Sequence, residues 1–328
     1  MVAFALRHIT QRAKQLVQPM INALTVDVED WFHVLALSKV VQRSGWDDIP
    51  LRVETSTQRL LDLFERRGVK ATFFILGWVA QRRPQLVRRI QAAGHEIASH
   101  GMTHELVFNQ TRSDFYNQTR DAKALLEDIT GTACEGYRAS TYSITQRSLW
   151  ALDVLCELGF TYDSSIFPIR HDVYGIHNAS QKPGVLRAPS GASIIEFPMS
   201  TVQYPGLRLP VSGGGYFRLL PYAVTRAGLR RLNRVEQRPF VFYLHPWEVD
   251  PAQPRVAASW LSRLRHYTNL DRCEARLDKL LGEFSMAPMR QVLESLSLLA
   301  PQRSQLPHSQ SQPLPTTLRP TLADPLVA

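Results

Sequence analysis

The sequence predicts an α/β fold: a mainly parallel sheet, open or closed into a barrel, followed by a C-terminal helical extension. Three observations predict it. Short apolar runs alternate with helix-periodic segments from Asn22 to Glu248, the pattern of repeated strand–helix units. Several of these runs end in chemistry-bearing residues: Asp27 to Asp30, His100, Arg138, Asp163 and His245. That is where a βα-barrel gathers its active groups, at the C-terminal ends of strands. After about Pro251 the alternation gives way to helical periodicity alone. A dinucleotide fold is disfavoured, because no GxGxxG follows the first strand.

NALTVDVED reads as a strand ending in acids. TSTQRLLDLFERRG is a helix with Thr55 or Ser56 as N-cap, Leu60, Leu61 and Phe64 on one face, and Gly68 as its stop. VKATFFIL is an apolar strand, and PQLVRRIQAAG a helix with Pro84 in its first turn and Gly94 at its end. HEIASH is a short strand, and RSDFYNQTRDAKALLEDITG a longer helix stopped by Gly131. CEGYRAS is a strand, and TQRSLWALDVLCELG a helix capped by Thr145 and ended by Gly159. FTYDSSIFP and SIIEFPMS lead to RPFVFYLHPWE, a buried strand ending in a histidine. AASWLSRLRHYTNLDRCEARLDKLLGEF reads as one or two amphipathic helices.

The 328 residues carry a net charge of +9, which permits contact with anionic surfaces. No Lys/Arg run is interleaved with aromatics, so no nucleic-acid partner is expected. Cys134, Cys156 and Cys273 fit neither a zinc framework nor a disulfide pattern, which suits a reducing compartment. No stretch has the apolar length of a membrane span. Residues 1–21 form a basic leader without the apolar core of a signal peptide. Leu6, Ile9, Ala13, Leu16 and Val17 recur there at helical spacing, so peripheral membrane contact is open. The expected location is cytoplasmic, including the inner face of the membrane. The chain is expected to divide into this leader, a barrel over 22–250, a helical extension over 251–300, and a disordered tail over 301–328 rich in Pro, Ser and Gln.

IASHGMTHE sets His100 and His104 four residues apart, a spacing that can present two imidazoles to one divalent ion. Such a site needs a third ligand, and VDVED supplies candidates in Asp27, Glu29 and Asp30. On a strand Asp27 and Glu29 share a face, whereas Asp30 points away unless the strand has ended. Clustered carboxylates repel unless a cation neutralises them; one can bind metal while its neighbour serves as general base. Arg138 can hold a carboxylate by a two-pronged contact, with Asp163 as its partner or in the same network. His245 suits a general acid near neutral pH, with Trp247 and Glu248 shaping its surroundings. SGGGYFR, Ser212 to Arg218, reads as a flexible loop able to approach a ligand.

Taken together, these residues resemble the NodB-homology polysaccharide deacetylases, carbohydrate esterase family 4, over about Ala23 to Phe284. GHEIASHGMTH is similar to the family's metal-binding motif, and YLHP to its final motif. GYRAS stands at the family's Arg-Pro-Pro motif with Ala139 in place of a proline. DVEDWFHV, YDSSIFP and FYLHPWE look like the subgroup associated with exopolysaccharide and exosortase (PEP-CTERM) gene clusters, which carries a C-terminal extension. The resemblance implies a distorted (β/α) barrel and metal-assisted removal of N-acetyl groups from a polysaccharide containing N-acetylhexosamine. It implies zinc, with cobalt, nickel or manganese as substitutes, on His100, His104 and a carboxylate. It further implies Asp27 as base oriented by Arg138, His245 as acid, and an oxyanion donor from the backbone at Ser140 to Tyr142. The family usually has two adjacent aspartates. Here the ligand is Glu29 by strand alternation, or Asp30 if the chain has turned, and short aspartate is the family's ligand type. Rival readings are a small amide or ureide hydrolase of allantoinase type, a metal-free glycosidase, and a non-catalytic glycan-binding barrel. A closed pocket with an arginine clamp would favour the first of these.

Overall fold

The computed structural model describes residues 20–205 and 207–301. The helix expected in the leader, and the tail beyond residue 301, lie outside the described residues. The strands are β1 (Ile21–Val28), β2 (Thr72–Ile75), β3 (Glu96–Ser99), β4 (Gly136–Tyr137), β5 (Tyr162–Asp163), β6 (Gly184–Arg187), β7 (Ser193–Glu196), β8 (Thr201–Tyr204), β9 (Leu207–Pro210), β10 (Val241–Leu244) and β11 (Ser285–Ala287). The helices are α1 (Val53–Arg67), α2 (Gly77–Arg82), α3 (Pro84–Ala92), α4 (Arg112–Thr130), α5 (Trp150–Glu157), α6 (Gly214–Leu219), α7 (Tyr222–Arg234), α8 (Trp260–Tyr267), α9 (Leu270–Leu281) and α10 (Met289–Ser295).

The main sheet runs β10-β1-β2-β3-β4-β5-β7-β6. Every pairing along it is parallel except the β6–β7 hairpin at one edge. β2 and β10 are buried along their whole length, which is why they read as unbroken apolar runs rather than alternating ones. One core layer lies outside the sheet, where Leu24 and Val26 meet Leu60, Leu61 and Phe64 of α1. Residues of opposite alternation, including Ala23, Phe74, Ala98, Tyr162, Val241 and Tyr243, fill the interior, as a narrow barrel requires.

The barrel is distorted because strands do not close it. Residues 197–205 and 207–213 lead from β7 to β10 and bond to strands on both sides. Phe197 N–H donates to Asp163 O at 2.8 Å, and Tyr243 N–H to Ser212 O at 2.7 Å. Val241 N–H donates to Ser200 Oγ at 2.9 Å. The glycine run has a role in this crossing. Gly213 pairs with Tyr243; its φ is +123°, and a Cβ there would stand 2.0 Å from Tyr243 O. At Gly213 the missing side chain lets backbone approach backbone.

Other expectations are corrected locally. α1 begins at Val53, before Thr55 and Ser56, and no side chain of its own N-cap residue caps it. Thr145 does not cap α5, which starts at Trp150; a separate turn intervenes, with Thr145 N–H on Ser148 Oγ at 2.9 Å. The extension after residue 250 is not wholly helical. β11 pairs in parallel with the first residues of β1, from Ile21 to Ala23, before β2 takes over at Thr25.

Candidate active site

β1, β3, β4, β5 and β10 deliver their C-terminal residues to one end of the barrel. Asp27, Glu29, His100, Arg138 and Asp163 are all buried there. Strand alternation continues one step past the end of β1: Asp27 and Glu29 both turn inward, and Asp30 turns away.

Glu29, His100 and His104 each bring one donor atom to a group whose atoms all lie within 4.8 Å of one another. His100 Nδ1 is 2.9 Å from Arg138 O. A carbonyl only accepts, so Nδ1 carries the proton and Nε2 keeps a lone pair for a ligand. Burial pushes the His100 pKa down to about 4, which keeps the ring neutral at physiological pH. His104 reaches the group from a tight turn with φ of +56°, a left-handed conformation uncommon outside glycine and found at functional sites. Glu29 Oε2 is buried and lies 2.6 Å from His104 Nε2. Burial would raise the Glu29 pKa, but the charges of His104 and His245 outweigh it and hold the group well below the usual carboxylate range. A buried carboxylate and two imidazoles fit a divalent cation.

Asp30 does not join them, which corrects its expected role as ligand. Its Oδ2 accepts the N–H groups of Arg52 at 2.6 Å and Val53 at 2.8 Å, and its Oδ1 that of Trp31 at 2.9 Å. It is the cap of α1, supplied from a distant strand.

Arg138 Nη1 donates to Asp27 Oδ1 at 2.7 Å and to Thr25 Oγ1 at 2.8 Å. Its other nitrogens go to Ser164 O and Ser164 Oγ. Asp163, expected as partner of Arg138 or as part of the same network, is not its direct partner; it joins the neighbouring bonds through Ser165, whose Oγ accepts the Ala139 N–H at 2.8 Å. Asp163 Oδ1 takes the Ser165 hydroxyl at 2.5 Å, and burial raises its pKa to about 6. Glu196 beside it is raised well above the usual range, by burial and by the charge of Asp163. Asp163 Oδ2 and Glu196 Oε2 have no other partner, so one proton between them serves both.

His245 Nε2 stands 3.4 Å from Glu29 Oε1, and its Nδ1 2.9 Å from Glu248 Oε1. Burial lowers the His245 pKa, but Glu29 and Glu248 overcome this and bring it to about 9. Burial also opposes ionisation of Glu248, yet Arg218 and His245 hold it at about 2. Thr25 and Arg218 were not singled out by the sequence reading; only the three-residue spacing of HPWE hints at the His245–Glu248 contact. Of the expected oxyanion donors, Tyr142 is removed, since its N–H is bonded to Ala139 O at 3.0 Å.

Residues 42–162 match the family model of the polysaccharide deacetylases. Over that stretch the chain is similar to the polysaccharide deacetylases. Residues 164–294 match a domain of unknown function, DUF3473. The site thus draws Asp27 and Glu29 from before the deacetylase match, His100, His104 and Arg138 from within it, and His245 from the second match. A chitooligosaccharide deacetylase of Sinorhizobium fredii (strain NBRC 101917 / NGR234) is 36% identical over 126 residues, 36% of this chain and 55% of that protein. The chain spans about half the length of the curated relatives it matches. Among solved structures, a Mycobacterium smegmatis protein assigned to the polysaccharide deacetylases aligns with TM-score 0.57 at 21% identity, over 88% of this chain and 94% of that one. An allantoinase aligns with TM-score 0.56 at 15% identity, over 88% and 94%. At these identities the likeness establishes the fold, which is barrel-like α/β.

Proposed function

We propose that the protein is a metal-dependent N-deacetylase acting on a polysaccharide that contains N-acetylhexosamine. The observation that carries the reading is the convergence of Glu29, His100 and His104 beside the Asp27–Arg138 pair and His245. The deacetylase match and the chitooligosaccharide deacetylase relative support the substrate class.

A divalent cation held by Glu29, His100 and His104 would supply Lewis acidity to the acetyl carbonyl and a more acidic water. Asp27 takes the water's proton. Arg138 and Thr25 fix the Asp27 carboxylate so that this proton has one destination. His245 delivers a proton from Nε2 to the departing amine, and its Nδ1 stays tied to Glu248. The products are acetate and a free amino sugar.

Beside His104 lies a cavity of about 350 Å³ lined by Phe32, His33, Leu35, Trp46 and Leu106 among others. Arg43 on its wall pairs with Glu105 at 3.7 Å. The role in exopolysaccharide biosynthesis rests on the likeness of DVEDWFHV, YDSSIFP and FYLHPWE to the subgroup named above. No described helix is long and apolar enough to cross a membrane.

The deciding experiment is acetate release from N-acetylhexosamine oligomers, with chelator and with divalent ions restored. Release that chelation abolishes and zinc recovers is expected. Release indifferent to chelation overturns the metal role, and none on any glycan overturns the reading. Asp27→Asn should keep the metal by elemental analysis and lose about 10²–10⁴-fold in rate.

A further inference from the structure

Both oxygens of Glu248 are engaged. Oε1 accepts the backbone N–H of His245 at 3.0 Å and faces Nδ1 of the same ring at 2.9 Å. Oε2 accepts Arg218 Nε at 2.6 Å. The rest of the guanidinium is taken by three carbonyls: Arg265 at 2.9 Å, His266 at 2.8 Å and Thr268 at 3.1 Å. These carbonyls close the C-terminal end of α8, where helix carbonyls lack internal partners and carry partial negative charge. Arg218 is 1% exposed and Glu248 0%. A buried ion pair is costly unless its remaining donors and acceptors are satisfied; here four of the five guanidinium N–H groups and both carboxylate oxygens have partners.

The aromatic rings run in the same direction. Trp247 stacks on His245 with centroids 5.1 Å apart and on His266 at 4.4 Å. The guanidinium of Arg218 lies over the Trp247 ring at 5.1 Å. The imidazole is thus clamped by a chain of contacts that ends in residues 265–268, inside the extension.

We propose that Glu248 and Arg218 are positioning residues for His245, and that the end of α8 completes the reaction centre by holding Arg218. The proposal rests on the reading of His245 as the acid. A carboxylate can only accept, so Glu248 keeps the proton on Nδ1 and leaves Nε2 as the atom that exchanges one. The C-terminal extension is on this account part of the chemistry rather than an appended module.

Glu248→Gln in the full chain tests the proposal. Its amide keeps the shape but sets an N–H₂ against either Nδ1–H or the Arg218 fork. The expected result is a fall in kcat for acetate release of about 10–100-fold, with KM within about two-fold and metal content unchanged. A downfield imidazole proton resonance, assigned by its loss in His245→Gln, should vanish as well. Glu248→Asp should recover part of both. Should Glu248→Gln fail to fold, Arg218→Lys, which keeps the charge but cannot span three carbonyls, takes the same readouts. An unchanged kcat, or a resonance that persists in Glu248→Gln, overturns the proposal. If the wild type releases no acetate, the deacetylase reading falls, while the resonance still decides whether Glu248 holds the ring.

Discussion

Two adjacent carboxylates on one strand end have opposite fates. Glu29 faces two imidazoles, and Asp30 faces three backbone N–H groups. Ligand type favours aspartate, but the chain's direction decides, and it sends the longer side chain inward. Glu29→Gln should therefore lose most bound zinc by elemental analysis. Asp30→Ala should keep the metal and lose about 2 kcal/mol of stability in denaturant melts, because buried donors are left unpaired. Zinc lost from Asp30→Ala and kept in Glu29→Gln would reverse the assignment. Asp163 and Glu196 make a second residue-scale case. Their folded pKa values are raised, so the folded state keeps a proton that the unfolded chain has released by about pH 4. Stability from this pair is present at low pH and declines as pH rises through about 6. Asp163→Asn should flatten the fall in melting temperature between about pH 5 and 7. An unaltered fall would mean the two acids share no proton.

At the scale of elements, the loops set the geometry. The HGMTH turn bends back so that both imidazoles reach one group, with Gly101 at φ +71° and His104 at +56°. The glycine run docks on β10 where residues 197–205 and 207–213 lead to it from β7. Gly213→Ala meets Tyr243 O and an unfavourable φ at once, so a loss of more than about 2 kcal/mol is expected by chemical denaturation. A near-neutral result would show that this crossing can relax. Helix and strand positions were largely legible in the sequence, since apolar periodicity reports burial directly. Their starts were less so. The cap of α1 comes from Asp30, 22 residues before Arg52, and a local motif carries no trace of a partner that distant.

The whole molecule is tied together across its expected boundaries. Arg52 binds Asp250 through two nitrogens, at 2.5 and 2.9 Å. Arg59 reaches Glu274 at 2.6 Å, β11 joins β1, and Arg218 joins the end of α8 to His245. A chain ended at Asp250 would lose β11 and leave the Arg218 guanidinium without its three carbonyls. It should show no cooperative thermal transition by circular dichroism. A sharp, reversible melt would establish that residues 22–250 fold alone, as the division of the chain first suggested.

The sequence by itself determined the strand–helix alternation, the polar residues at strand ends, and the pair of histidines four apart, because periodicity and spacing are local properties. Only the tertiary structure decided that Glu29 rather than Asp30 faces those histidines, that Asp163 turns to Glu196, and that Glu248 and Arg218 grip His245. Apart from the three-residue step from His245 to Glu248, those outcomes depend on partners some 20 to 200 positions away, and such contacts leave no pattern in a neighbourhood of the chain.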